Sequence, residues 1–440
     1  MPAPPEPEAR LRTCGAIPSI GLNQPVPNME NSVSAIILSN ARLFDGVSDK
    51  IRVPVDVLIE DGRIREVGET LSLENASRID VGQRFVMPGL IDAHYHANTP
   101  SYDFYGSDRM PPALLGAHAA RLLSGALDRG YTTLRDAGGG DLGLKLAIDE
   151  GLIDGPRFYY PGRALTQTGG HGDMRRRNYV EPCGCAYSGV VTQAVDGPDE
   201  VRKAAREEFR KGATHIKIFV SGGVSTDLAP LEMPHFSDEE ISVAVEEAER
   251  RGSYVMAHCH TDKAAQRCIR LGVRTIEHGS LIGPETAAKI AAAGAYVVPT
   301  LSAGELIAEN ASALGLPESA AERVRAVNKS SLEAIEACAA AGVKLGLGCD
   351  LHGHEFVKTQ GRELLLRGRV QPAIDVLRSA TSINAEIVQA KGELGVIAPG
   401  AHADIIVVDG DPLEDLSIFV HSAQTVALVM KGGRIVRSRL

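Results

Sequence analysis

Through the middle of the chain, short apolar runs alternate with longer segments whose apolar positions recur at helical spacing, and glycines close the segments. Ser237-Asp238-Glu239-Glu240 is a capping box, in which the Ser237 hydroxyl and the Glu240 carboxylate accept free N–H groups at a helix start. That helix runs to Arg251 and stops at Gly252, and the apolar run Tyr254-Val255-Met256-Ala257-His258 follows. Pro284 opens another helix, Gly294 ends it, and residues 295–300 read as the next strand. Gly342 closes a further helix before the run 343–348. The whole pattern predicts eight strands, at about 86–93, 131–136, 156–163, 214–220, 253–259, 274–278, 295–301 and 344–349. Their alternation with helices predicts an α/β fold, a closed (β/α)8 TIM barrel over residues 86–392. A doubly wound open sheet is the alternative, but its G-x-G-x-x-G phosphate signature is missing after the first strand.

The flanks have another rhythm. Residues 35–44 read as a strand, and 55–64 as two short strands around the Asp61-Gly62 turn, a hairpin signal. Residues 403–410 and 426–436 repeat strand, turn and strand at the far end. Neither flank has enough strands to bury a face alone. The two ends are therefore expected to pair into a small composite β-sandwich domain, residues 34–85 with 393–440, and separate edge hairpins are the alternative. Residues 1–33 are proline-rich and polar and read as a disordered or extended tail, without the basic start and apolar core of a secretory signal.

Composition narrows the possibilities. The 440 residues suffice for one large domain and a smaller one. A net charge of −10 with mixed signs gives no basic surface for nucleic acid. No apolar stretch reaches the roughly 18 residues that span a bilayer, so no membrane partner is expected. The seven cysteines are odd in number and scattered, which fits reduced thiols in a cytoplasmic enzyme. Cys183-Gly184-Cys185 resembles half a zinc knuckle, but no second pair follows, so it reads as a loop without metal.

The chemistry begins at His94-Tyr95-His96. On an extended strand, residues i and i+2 share a face, so both imidazoles leave the strand end together, as metal ligands would. In a barrel of this kind the chemistry sits at the C-terminal strand ends. There the pattern also places Lys217 amid apolar residues, His258 and His260, His278, and Asp350. Each alone has an ordinary structural reading, and their convergence on one mouth does not. A buried lysine loses its charge readily, and the neutral amine can then add carbon dioxide to become an anionic carbamate.

This order of H-x-H, Lys, His, His and Asp resembles the amidohydrolase superfamily, and residues 86–96 and 395–405 are similar to its strongest stretches. The likeness runs from Ser34 onward. It implies two divalent metal ions bridged by an N-carboxylated Lys217. His94, His96 and Asp350 would complete one site, and His258 and His278 the other. Mixed N and O ligands suit zinc, with manganese, cobalt and nickel close behind. Asp350 would serve as general base and then general acid in hydrolysis.

Residues 168–173 and 221–224 resemble the prolidase-like branch, which cleaves the last amide bond of dipeptides and N-acyl amino acids and includes ochratoxin-hydrolysing amidases. The expected substrate is a small amide, ochratoxin A among the candidates. The expected contacts are His171, His260, and Ser221, Gly222 and Gly223, whose backbone N–H groups would take an anion. Phe219 stands where many of that branch carry a tyrosine, and Arg175, Arg176 and Arg177 read as a solvated charge run. A cyclic-amide or imidazolone hydrolase, or a lactonase, is an alternative on the same scaffold. A non-catalytic oligomeric scaffold is an alternative of another class, against which the intact ligand set argues. Relatives form homo-oligomers, octamers among them, so a homo-oligomer is expected.

Overall fold

The computed structural model describes residues 35–175, 189–224, 229–316 and 318–440. The tail expected over 1–33, with Cys14, and Arg176, Arg177, Cys183 and Cys185 lie outside the described residues. Strand β1 (Ile36–Leu43) pairs antiparallel with β2 (Arg52–Glu60), and β2 with β3 (Arg63–Gly68). The β2–β3 turn is Asp61-Gly62, whose φ values of 51° and 74° are the left-handed pair that a two-residue hairpin needs. β4 (Ser77–Asp80) and β5 (Phe85–Pro88) each run parallel to β1.

The middle of the chain makes two wholly parallel sheets. β6 (Leu90–Tyr95), β7 (Tyr131–Asp136) and β8 (Arg157–Tyr159) form the first, in that order. The second contains β9 (Ala164–Thr166), β10 (Thr192–Ala194), β11 (Ile216–Phe219), β12 (Val255–Thr261), β13 (Thr275–Leu281), β14 (Tyr296–Val298) and β15 (Lys344–Leu345). Its order is β10-β9-β11-β12-β13-β14-β15. Backbone hydrogen bonds bridge the two sheets at both edges. Ala93 N–H donates to Leu347 O at 2.9 Å and Asp350 N–H to His94 O at 2.9 Å, while Thr214 N–H donates to Tyr160 O at 2.8 Å.

Two of the expected strands are broken. The run 86–93 is continuous in hydrophobicity, yet Phe85–Pro88 belongs to the flanking sheet and Leu90–Tyr95 to the parallel one. Pro88 has no N–H to carry the ladder onward. Gly89 lies so close to β7 that a Cβ there would sit 2.2 Å from Thr132 Oγ1. The run 156–163 likewise stops after Tyr159, and the chain turns at Gly162 (φ 71°) before β9 takes it into the other sheet.

β16 (Ile405–Val408), β17 (Val426–Lys431) and β18 (Arg434–Ser438) follow, the last two joined through Gly432-Gly433 at φ 55° and 75°. β16 pairs antiparallel with β5, so one eight-stranded sheet runs β18-β17-β16-β5-β1-β2-β3, with β4 beside β1. Leu38, Val57, Val86, Ile405, Val407, Leu428 and Met430 from both chain ends share its buried cluster.

The helix Asp238–Glu249 begins with the expected capping box, Glu240 N–H donating to Ser237 Oγ at 3.2 Å and Ser237 N–H to the Glu240 carboxylate at 2.5 Å. Its Ile241, Ala244 and Ala248 pack in one cluster with Val201, Ala205, Ile218 and Ala257. Among the described residues, no helix is long and apolar enough to cross a membrane. Cys259, Cys268, Cys338 and Cys349 are buried free thiols.

Gly348 lets the chain after β15 close against β6, since a Cβ there would meet His94 Cβ at 2.5 Å and Val298 Cγ1 at 2.7 Å. Gly348→Ala should therefore overpack this junction and cost about 1–3 kcal/mol. Urea unfolding checks this as a lower midpoint at unchanged slope, and an unchanged midpoint would contradict the packing described.

Candidate metal centre

His94 ends β6 fully buried, its Nδ1 2.7 Å from Glu277 Oε2. Glu277, on the interior of β13, also meets Arg135 Nη2 of β7 at 2.9 and 3.0 Å and accepts from Thr275 Oγ1 at 2.7 Å. Burial alone would protonate Glu277, but Arg135 and the His94 N–H outweigh it and hold its pKa at about 2. An ionised carboxylate can only accept. His94 therefore donates through Nδ1 and turns Nε2 towards the centre. Arg135 Nε further donates to Ala93 O at 2.6 Å, tying down the backbone next to the histidine.

Asp92 does a related job. Its Oδ1 accepts the backbone N–H of both His94 (3.0 Å) and Cys349 (3.2 Å), while Oδ2 accepts from Gln360 at 2.7 Å. One carboxylate thus staples the end of β6 to the residue preceding Asp350. Asp350 adopts a left-handed φ of 52°, and its Oδ1 lies 3.0 Å from His96 Nε2, 3.4 Å from His94 Nε2 and 3.5 Å from His352 Nε2. Burial opposes its charge, yet the surrounding His94, His352 and His96 hold its carboxyl well below the usual range.

A second group faces it. His258 Nδ1 is 2.9 Å from His278 Nε2, and the His260 ring stacks on His278 at 4.7 Å. Second partners aim the rings: Ser280 Oγ for His260 Nδ1 at 3.0 Å, Thr300 Oγ1 for His278 Nδ1 at 2.7 Å, and Gly222 O for His258 Nε2 at 3.1 Å. Burial pushes His96 and His260 down to about 3, and His258 and His278 well below the ordinary imidazole value. Neutral imidazoles with free lone pairs are what a cation requires. Lys217, buried in β11, makes no hydrogen bond among the described residues, and burial brings its pKa down to about 8. A cavity of about 480 Å³ opens on all these side chains and on His171.

The ligating atoms of His94, His96 and Asp350, and those of His258, His260 and His278, lie within 4.8 Å of one another in each group. Both sets, two histidines with a carboxylate in the first and three histidines in the second, fit a divalent metal. Among histidine, cysteine and acidic side chains, His260 joins the expected His258 and His278 in the second trio, and the buried Lys217 amine lines the same cavity. His171 sits 4.7 Å from His258 by ring centroids and packs on Gly223, where a Cβ would fall 2.1 Å from its ring. The anion-binding role expected of the backbone here is corrected at Gly222 and Gly223. Gly222 N–H donates to Met233 O at 3.0 Å and Gly223 N–H to Ala229 O at 3.3 Å, while Ser221 Oγ is engaged by His260 N–H at 3.0 Å. None of the three lines the cavity. Arg175 is engaged by Asp173 at 2.6 and 2.7 Å.

Arg135, Glu277, Asp92 and His352 were not singled out from the sequence. Arg135 is, like Lys217, a basic residue inside a strand, and Asp350-Leu351-His352 repeats the i, i+2 logic of the opening histidine pair.

The Amidohydrolase family profile matches residues 85–436, and the chain belongs to that family. It is 33% identical over 380 residues to an ochratoxinase of Aspergillus niger, covering 83% of this chain and 78% of that enzyme. The crystal structure of A. niger ochratoxinase superposes with a TM-score of 0.81 at 30% identity, over 92% of this chain and 96% of that one. A prolidase crystallised with N-methylphosphonate-L-proline gives 0.88 at 40% identity, over 92% of this chain and 100% of that one. The chain is accordingly a hydrolase acting on C–N bonds, of a family whose members generally bind divalent metals.

Glu277→Gln should lower metal affinity about 10–100-fold, because it weakens the bond that fixes the His94 tautomer. Competition against a chromogenic chelator measures it, and an affinity equal to wild type would refute the assigned role.

Proposed function

We propose that the protein is a two-metal amide hydrolase that releases the C-terminal amino acid of dipeptides or N-acyl amino acids, ochratoxin A among them. The observation that carries this reading is the pair of donor groups around one cavity, with the neutral His96, His258, His260 and His278 imidazoles, the Asp350 carboxylate and the Lys217 amine, which has no hydrogen-bond partner among the described residues. The similarity to an ochratoxinase and a prolidase supports the amide class. Apolar wall residues Leu301, Ile307, Leu316 and Val327 suit an apolar substrate group.

The edge bonds Ala93→Leu347 and Thr214→Tyr160 support one closed (β/α)8 barrel made from both parallel sheets. The β5–β16 pairing supports a composite β-domain from the two chain ends. His94, His96 and Asp350 would hold one ion, and His258 and His278 the other. Lys217 would bridge them as a carbamate, and zinc is the metal that these ligands suit best. In carbamate formation the neutral amine bonds to the carbon of CO2 and releases one proton.

When bound, the ions supply an activated water and polarise the scissile carbonyl. Asp350 takes the proton of the attacking water and hands it to the leaving nitrogen as the C–N bond breaks. His171 and His260, on the cavity wall, orient the substrate.

An assay of N-acyl-phenylalanine and Xaa-Pro substrates against lactones and ring amides tests the class, and preference for the latter pair would overturn it. Asp350→Asn should keep some bound metal yet lose turnover by at least about 10²-fold, and near-wild-type activity in that variant is the contrary result. Metal reconstitution of the apoprotein should recover more activity with bicarbonate than in CO2-free buffer. With Lys217 near pKa 8, only the neutral amine above that value reacts, so recovery should fall as pH drops below it. Labelled bicarbonate should leave a carbamate carbon signal by NMR. Recovery independent of bicarbonate, with no label, would remove Lys217 from the bridge.

A further inference from the structure

We propose that the Tyr102 hydroxyl donates to the carboxylate of the substrate's amino acid and so sets the preference for substrates that carry one; this rests on the amide-hydrolase reading above. Tyr102 follows β6 and lines the cavity. Its ring is clamped by Phe356 at 5.3 Å, His352 at 5.3 Å and Phe104 at 5.9 Å, all edge-on or tilted, so the hydroxyl has a fixed position.

That hydroxyl is buried and has no hydrogen-bond partner among the described residues. The His352 backbone N–H is turned towards its oxygen, which leaves the phenolic proton without an acceptor. Burial raises its pKa above the ordinary phenol value, with the Asp350 charge adding to the effect, so it is a neutral donor at every working pH. Buried polar atoms are nearly always satisfied. Among the residues lining the cavity, the buried side-chain atoms without a partner are Tyr102 Oη and His171 Nδ1. Both are positions that a ligand completes.

The two serve different ends of the substrate. His171 packs beside His258 and Phe219, with ring centroids at 4.7 and 5.7 Å. Tyr102 packs on His352, which lies 3.5 Å from Asp350 and is tilted against His96, with ring centroids 4.5 Å apart. Asp350 protonates the leaving nitrogen, so the departing amino acid lies on this side. Its carboxylate is one carbon away from that nitrogen and is the strong acceptor within reach. Phe219, on the His171 side, has no hydroxyl to offer. Tyr102 supplies that donor from a different strand end.

The test compares acetate release from N-acetyl-L-phenylalanine and from N-acetyl-L-phenylalaninamide by the metal-loaded wild type and Tyr102→Phe. Phenylalanine keeps the ring contacts, and an unchanged melting temperature confirms that the variant folds. Loss of a hydrogen bond to a charged group should lower kcat/KM for the acid about 10–100-fold, mostly through KM. The amide-capped substrate should change little. Equal losses on both substrates, or no loss on the acid, would overturn the assignment. A wild type that releases acetate from neither would overturn the amide-hydrolase reading, and this inference with it.

Discussion

The Glu277 carboxylate, shared between Arg135 and His94 with almost no solvent, is the interaction on which the site depends. Three strands meet in it: β6 brings the histidine, β7 the guanidinium and β13 the carboxylate. A buried ion pair contributes little net stability over an apolar substitute, but breaking it leaves an uncompensated charge and costs about 3–5 kcal/mol. That asymmetry makes it a registration device. If β13 slipped, Glu277 and His278 would both leave the positions from which one aims His94 and the other faces the cavity.

The rest of the centre follows from dryness. In a pocket this buried, the His96, His258, His260 and His278 imidazoles stay neutral and a lysine sheds much of its preference for charge, whereas Asp350 stays ionised because several ring nitrogens surround it. The same low polarity that makes these groups available to a metal penalises any left without one. Asp92 supports the arrangement from behind by joining the His94 and Cys349 amides. The trio His94, His96 and Asp350 therefore has its backbone geometry set by the protein's own contacts.

Much of this was legible in the chain itself, for reasons that can be traced to particular residues. His94 and His96 announce themselves by period-two spacing at the end of an apolar run, and Lys217 by being a charge where a strand should have none. The hairpin turns at Asp61-Gly62 and Gly432-Gly433 follow from left-handed backbone demands. Other features depend on contacts distant in sequence. In the apolar run 86–93 only Pro88-Gly89 hints at a break, and the close approach of Thr132 that requires glycine there is a contact distant in sequence. β9 and β10, three residues each, are too short for periodicity to register. Ser221-Gly222-Gly223 has the composition of an anion-binding loop, but the returning segment at Ala229 and Met233 takes the N–H groups of both glycines. Tyr102 carries no signal in sequence, because an unsatisfied hydroxyl is defined only by what surrounds it.

The central claim is that the two donor groups hold a pair of divalent ions that the reaction requires. Elemental analysis of protein purified without chelator, with activity followed through chelation and reconstitution, tests it most directly. The account predicts about two equivalents per chain, with amide hydrolysis lost on removal and regained on return of the metal. Hydrolysis that persists in protein stripped below one equivalent would contradict it.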